Sequence, residues 1–349
     1  MIQLKHSGLA SLVLVGLGCG DRELQNQGDT IETEAEVAPS DVDSEGSQPD
    51  SGLSVIELRP LALWGKRGGP GNQPGYGGGG AALDDFADPT GLDLSLDESE
   101  LYVVDSGNDR IKVYDLNGNV LRSFSHPGSS NDLVVGLDGT LYTWNRETKA
   151  IVGYDPYGIL RYSWSLLDGG DSDTGYSISI DADGLVYIGD SVFGQVSVYS
   201  PDGVYVRRMG ERGERKGEFP NGPNGLAVVG TLVYGSSFGE LLVFSSNGQY
   251  LYEVEAPRYE PNRMHEGGIV AWNDWCVALL WNEASPGYGF YAIEPGASDV
   301  THVAAVPQGR GFGQMDLPSR FVIDSQGRWY VSERNNSRVQ VLQGPLLGD

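Results

Sequence analysis

From residue 86 to 125 the chain alternates short apolar runs with clusters of turn residues, and that alternation predicts a run of short strands. Leu101-Tyr102-Val103-Val104 and Ile111-Lys112-Val113-Tyr114 are rich in β-branched and aromatic residues, with turn chemistry in Asp105-Ser106-Gly107-Asn108-Asp109 between them. Upstream, Gly91-Leu92-Asp93-Leu94 alternates apolar with small or polar residues. Downstream, Asn117-Gly118-Asn119 breaks the chain before Val120-Leu121-Arg122-Ser123-Phe124. The stretch reads as one four-stranded antiparallel meander.

A sheet of this size cannot bury both of its faces alone, so it needs copies of itself on either side. The separation from Leu101 to Tyr114 returns from Leu141 to Tyr154 and from Val186 to Tyr199. Looser copies run from Leu232 to Phe244 and, with Asn282 to Gly289 read as an inserted loop, from Trp275 to Tyr291. The last copy, Trp329 to Leu342, stops after its third strand, whereas Leu61-Ala62-Leu63-Trp64-Gly65 resembles an outer strand with no repeat before it. The N-terminal strand is therefore expected to complete the C-terminal sheet and leave no open edge, giving an all-β ring of six units.

The repeating residues resemble the NHL-repeat family: a Gly-rich lead, Phe86, Pro89 and Gly91, the turn Asp105-x-x-Asn108-x-Arg110, then Tyr114, Asp115 and Gly118. Gly210 to Gly225 and Gly309 to Pro318 match the lead again, and the likeness runs from about residue 54 to 342. It implies a six-bladed β-propeller of four-stranded antiparallel blades, with the domain over residues 53–349. Such a likeness speaks to fold and leaves activity open.

Ahead of the domain, Lys5 precedes an apolar run from Leu9 to Leu17 that is too short to span a bilayer and reads as a secretory signal. Its end, Gly16-Leu17-Gly18-Cys19, resembles a bacterial lipobox, so residues 1–19 are expected to be a signal with Cys19 as the lipid attachment point. Residues 20–52 carry ten carboxylates against Arg22 alone and few large apolar side chains, so they read as a disordered acidic tether. The expected location is the bacterial cell envelope, on a membrane held through the lipid.

The formal charge of −25 repels phosphate backbones and argues against a nucleic-acid partner. Arg207, Arg208, Arg212, Arg215 and Lys216 are interleaved with Glu211, Glu214 and Glu218, which makes a solvated loop rather than a basic patch. With Cys19 lipidated, Cys276 has no partner and sits in an apolar strand as a small core residue. No Gly-x-Ser-x-Gly elbow or His-Glu-x-x-His helix occurs.

Two groups of residues remain as candidates. Asp105, Asn108 and Arg110, with their counterparts Glu333, Asn336 and Arg338, lie in turns on the face of the loops between blades. There they either pin those loops or present carboxylates and guanidiniums to a ligand. The second group precedes each innermost strand and approaches the axis. Pro223-Asn224-Gly225-Leu226-Ala227 is similar to a segment of gluconolactonase-like propellers, and that resemblance implies oxygen ligands for calcium from Asn131, Asn224 and Glu266. His265 beside Glu266 is the one pairing with proton-transfer chemistry. The leading expectation is a monomeric, non-catalytic module binding an envelope protein or glycan, with no cofactor. The alternative is a metal-assisted hydrolase or lyase at the axis.

Overall fold

The computed structural model describes residues 58–65, 80–167, 176–220, 222–237, 240–255, 268–282 and 287–345. The expected signal, Cys19 and the tether lie outside the described residues, and so do His265 and Glu266.

The described residues form six four-stranded sheets. Blade 1 is Pro89–Leu94, Glu100–Asp105, Arg110–Asp115 and Val120–Ser125. Blade 2 is Leu133–Val135, Leu141–Asn145, Ala150–Tyr154 and Leu160–Trp164; blade 3 is Tyr176–Ile180, Val186–Asp190, Gln195–Tyr199 and Tyr205–Met209. Blade 4 is Gly225–Val229, Leu232–Ser237, Glu240–Ser245 and Tyr250–Val254; blade 5 is Ile269–Trp272, Trp275–Asn282, Gly287–Ile293 and Thr301–Pro307. Blade 6 takes Pro318–Ile323, Arg328–Glu333 and Arg338–Gln343 from the end of the chain and Arg59–Trp64 from its beginning. That first strand lies antiparallel to Arg338–Gln343 with Trp64 opposite Val339, so the ring is an all-β, six-bladed propeller closed as the repeat count predicts.

The burial pattern follows from the stacking of blades. Middle strands such as Val186–Asp190 and Gln195–Tyr199 are covered on both faces and buried throughout, whereas the outer strand Val120–Ser125 alternates in exposure. One apolar cluster fills each of the six seams between neighbouring blades. At the closing seam Leu92, Val103 and Tyr114 of blade 1 meet Tyr330, Val339 and Val341 of blade 6. The seam between blades 1 and 2 has the same build, from Val104, Ile111 and Val113 against Leu133, Leu141 and Val152. Each such side chain contributes about 1.5–3 kcal/mol by leaving water.

A repeated glycine shows how neighbouring blades seat on one another. In the Asp115-x-x-Gly118 turn the Asp115 carboxylate accepts the N–H groups of Asn117 and Asn119, and Gly118 takes φ +89°. A Cβ on Gly118 would collide with the Trp64 indole, one on Gly158 with Phe124, and one on Gly203 with Trp164. Each turn thus lies flat on an aromatic from the outer strand of the blade before it. The N-terminal strand supplies Trp64 to blade 1 just as blade 1 supplies Phe124 to blade 2.

Blade 5 corrects one expectation. Asn282 to Gly289 is not a loop inserted beside the sheet: the second and third strands run on to pair Asn282 with Gly287, so the extra residues lengthen a hairpin. Trp272, Tyr288 and Phe290 are buried in the seam with blade 6, and Tyr291 in the seam with blade 4.

Candidate functional site

The turns of blades 1 and 6 are built on the same plan, an Asp in one and a Glu in the other. Asp105 accepts Ala87 N–H at 2.7 Å, Asn108 Nδ2 at 2.9 Å and Arg110 Nε at 2.7 Å. Arg110 then donates to the carbonyls of Ala81, Ala82 and Asp85, and Asn108 to that of Gly80. In blade 6, Glu333 accepts Asp316 N–H at 3.0 Å and Arg338 Nε at 2.6 Å, with Asn336 Nδ2 on the same carboxylate. Arg338 donates to the carbonyls of Arg310, Gly311 and Gln314, and Asn336 to that of Gly309. Ala82 O and Gly311 O also accept a main-chain N–H of their own loops, Asp85 O the Lys112 ammonium and Gln314 O the Gln340 amide, so each lead loop is held at several carbonyls at once.

Both carboxylates are fully buried. Burial pushes the Glu333 carboxyl up, and the Arg338 charge, its hydrogen bonds and the Asn336 amide pull it back. In blade 1 the buried Lys112 reinforces the arrangement: its ammonium donates to Asp85 O at 2.9 Å and lies 3.9 Å over the Phe86 ring. Burial lowers that lysine to about 8 against the charge of Asp105. The six predicted turn residues are therefore brought together as two pins whose polar groups face inward. The loops they hold carry the exposed side chains Leu83 and Phe312.

The axis holds a second constellation. Arg320, from the innermost strand of blade 6, places Nε 3.2 Å from an Asp132 carboxylate oxygen of blade 2. It also donates to Ser319 O and, across the ring, to Asn224 O of blade 4, both at 3.0 Å. Between blades 6 and 2 stands Gly91 of blade 1, where a Cβ would strike the Asp132 backbone, so the bare glycine lets the two charged side chains meet. The same Asp132 carboxylate accepts Ile178 N–H of blade 3 at 3.0 Å. Four alternating and adjacent blades are thus tied at one level.

One level along is a cavity of about 170 Å³ lined by residues of blades 1, 2, 3, 5 and 6. Opposite a repeated tyrosine of the second strand, five blades present Asp93, Val134, Ser179, Ala227 and Val322. Asp93 is the one carboxyl among them. It accepts Leu94 N–H at 2.8 Å and Val135 N–H of the next blade at 2.7 Å. Burial pushes it up to about 7; the two N–H groups pull it down, and the charge of Asp132 adds to the rise.

Asn131 and Asn224 do not line this cavity, whereas Asp132, one residue after Asn131, and Arg320 do. Glu266 and His265 fall outside the described residues, and among the described residues no three His, Cys, Asp or Glu side chains come close enough to share a metal ion. Cys276 is buried in the seam with blade 4, and burial pushes its thiol up, away from nucleophilic use. His126, also buried, is lowered to about 4 by burial and faces Tyr154 Oη at 3.3 Å. Asp93, Asp132 and Arg320 were absent from the sequence-based candidates. The available signal was a charged residue within an innermost strand, at a position where other blades carry valine, alanine or serine.

No known family's sequence profile matches the chain, and no curated protein does. Solved structures do. A gluconolactonase from Xanthomonas campestris is similar over 84% of this chain and 98% of its own, at 16% identity and a TM-score of 0.53. A catalytically inactive virginiamycin B lyase from Staphylococcus aureus, solved with quinupristin, is similar over 74% and 80%, at 12% identity and 0.52. Kuenenia stuttgartiensis hydrazine synthase is similar over 74% and 77%, at 16% identity and 0.53. At these identities the likeness is one of fold alone.

Proposed function

We propose that the chain is a lipid-anchored propeller of the bacterial cell envelope that binds a protein or glycan without chemistry, on the face carrying loops 80–88 and 309–317. The observation that carries this reading is the pair of matching pins. Two buried carboxylate–arginine turns fix two neighbouring loops and leave Leu83 and Phe312 exposed on them, 52% and 54% accessible. Holding exposed apolar side chains on rigid loops lowers the ordering cost of association. The acidic segment after Cys19 would serve as the spacer between lipid and ring.

The full-length protein, expressed with its own signal, is the reagent for the test. Leu83→Ser with Phe312→Ser should abolish capture of the partner from envelope extract while the circular dichroism and thermal transition stay those of the parent. Leu160→Ser, on the outer rim, should leave capture intact. Capture that survives the double substitution would overturn the reading. Labelling with radioactive palmitate, lost in Cys19→Ala, tests the anchor separately.

A second reading, a hydrolase or lyase at the axis, is favoured by Asp93. A carboxyl near neutrality on a cavity wall suits proton transfer, and the gluconolactonase and lyase neighbours share the ring. Turnover of a lactone that disappears in Asp93→Asn would support it. Stoichiometric calcium or zinc in protein purified without chelator, lost in Asn224→Ala, would support the metal-assisted form.

A further inference from the structure

The charges around the axial cavity do not balance. Asp132 is answered by Arg320 at 3.2 Å, whereas Asp93 accepts two main-chain N–H groups and has no ion-pair partner of its own among the described residues. Asp132 and Arg320 line the same cavity and are paired with each other. The rest of the wall is mostly aliphatic, with Val134, Ile180, Val270 and Val322 around it. The Ser179 hydroxyl is already engaged by Val228 N–H at 3.2 Å. At about 170 Å³ the space slightly exceeds the roughly 150 Å³ apolar cavity that takes up a benzene ring.

We propose that this cavity binds a small organic ammonium ion, its apolar body against Val134, Ile180, Val270 and Val322 and its charged group on the remaining lone pairs of Asp93. A neutral molecule of the same shape would take water from the half-buried carboxylate and give it no partner, at a cost. A hard divalent cation wants six or more oxygen ligands, which this aliphatic wall does not offer. Anions meet an unmatched negative charge. The acidic surface, formally −25 over the chain, raises the local concentration of cations and steers them inward. The site is independent of the loop-face reading.

Benzylammonium and benzyl alcohol, nearly equal in shape, are the probes, titrated into the full-length protein by calorimetry. At about pH 8 the ammonium should bind at least tenfold more tightly than the alcohol. Its affinity should fall about fivefold or more on going to about pH 6, because Asp93 takes up a proton near 7 while the amine stays charged. Asp93→Asn should remove the preference for the ammonium and keep the binding of the alcohol. Equal affinities, a flat pH profile in the parent protein, or an unchanged preference in the variant would each overturn the proposal, and so would absence of binding by both probes. The pH series uses the parent chain alone, so a poorly folding variant cannot shield the idea. Leu83→Ser with Phe312→Ser should leave every titration unchanged, which separates this site from the loop face.

Discussion

Glu333 and Asp93 are both carboxyls that burial pushes upward, yet the protein answers them in opposite ways. Glu333 is met by Arg338 at 2.6 Å, by Asn336 and by a main-chain N–H, so every group around it is spent on holding a loop. Asp93 receives main-chain donors only and stands on the wall of a cavity. A buried charge with a built-in partner is part of the frame. One without a partner, beside open volume, is where a ligand has something to contribute.

The sharpest way to break this contrast is to remove the partner at the pin. Arg338→Met should cost about 3–5 kcal/mol in urea unfolding, because it strands the Glu333 charge and removes the guanidinium donors to the carbonyls of Arg310, Gly311 and Gln314. Glu333→Gln added to it should restore about 1 kcal/mol or more, since the stranded charge is gone. If Arg338→Met costs no more than a surface change, the pin is not structural. Arg110→Met should cost less, about 2–4 kcal/mol, because Arg110 is 15% exposed where Arg338 is 7%. It should also speed proteolysis within loop 80–88.

The axial carboxyl should show itself through pH. A carboxyl raised from 3.8 to about 7 on folding is bound to its proton in the native state while the unfolded chain has lost it. Its contribution is complete below about 4 and disappears as pH rises through about 7. The stability lost is on the order of 1–3 kcal/mol once solvent screening is allowed for. His126, lowered to about 4 from 6.5, acts in the other direction, losing stability as pH falls below about 6.5. The difference between parent and Asp93→Asn curves isolates the first effect: the variant should lack the decline between about pH 4 and 7, whatever its absolute midpoint. A parallel pair of curves would place Asp93 in ordinary solvent. The smallest effect belongs to Arg334, whose pair with Asp88 bridges the closing seam at 2.7 Å but is about 40% exposed on both sides. Arg334→Ala should cost less than about 1 kcal/mol, so position at the seam should not by itself make an ion pair important.

The pins were legible because Asp105, Asn108 and Arg110 lie within one turn, as do Glu333, Asn336 and Arg338, and a tight turn fixes such spacings locally. What they grip was less so: the carbonyls of 80–85 and 309–314 reach them only when the chain folds back. The axial side chains Asp132 and Arg320 were not legible, because which side chain turns inward depends on local strand geometry, such as the bulge between Pro318 and Arg320 that opens the innermost strand of blade 6. The hairpin of blade 5 was misread for a related reason. The extra residues were read as a loop, while cross-strand pairing from Cys276 to Asn282 carried the strand onward.

The sequence by itself determined the strands, their grouping into blades and the closure of the ring. Those follow from alternating apolar positions and turn residues, whose effects act over a few residues and repeat. Only the tertiary structure decided that Asp93 stands on a cavity wall with no ion-pair partner among the described residues while Asp132, on the same wall, is paired with Arg320. That outcome depends on Gly91, Asp132 and Arg320 arriving at one axis from three blades, and electrostatic partnership is settled by distance in space rather than by order along the chain.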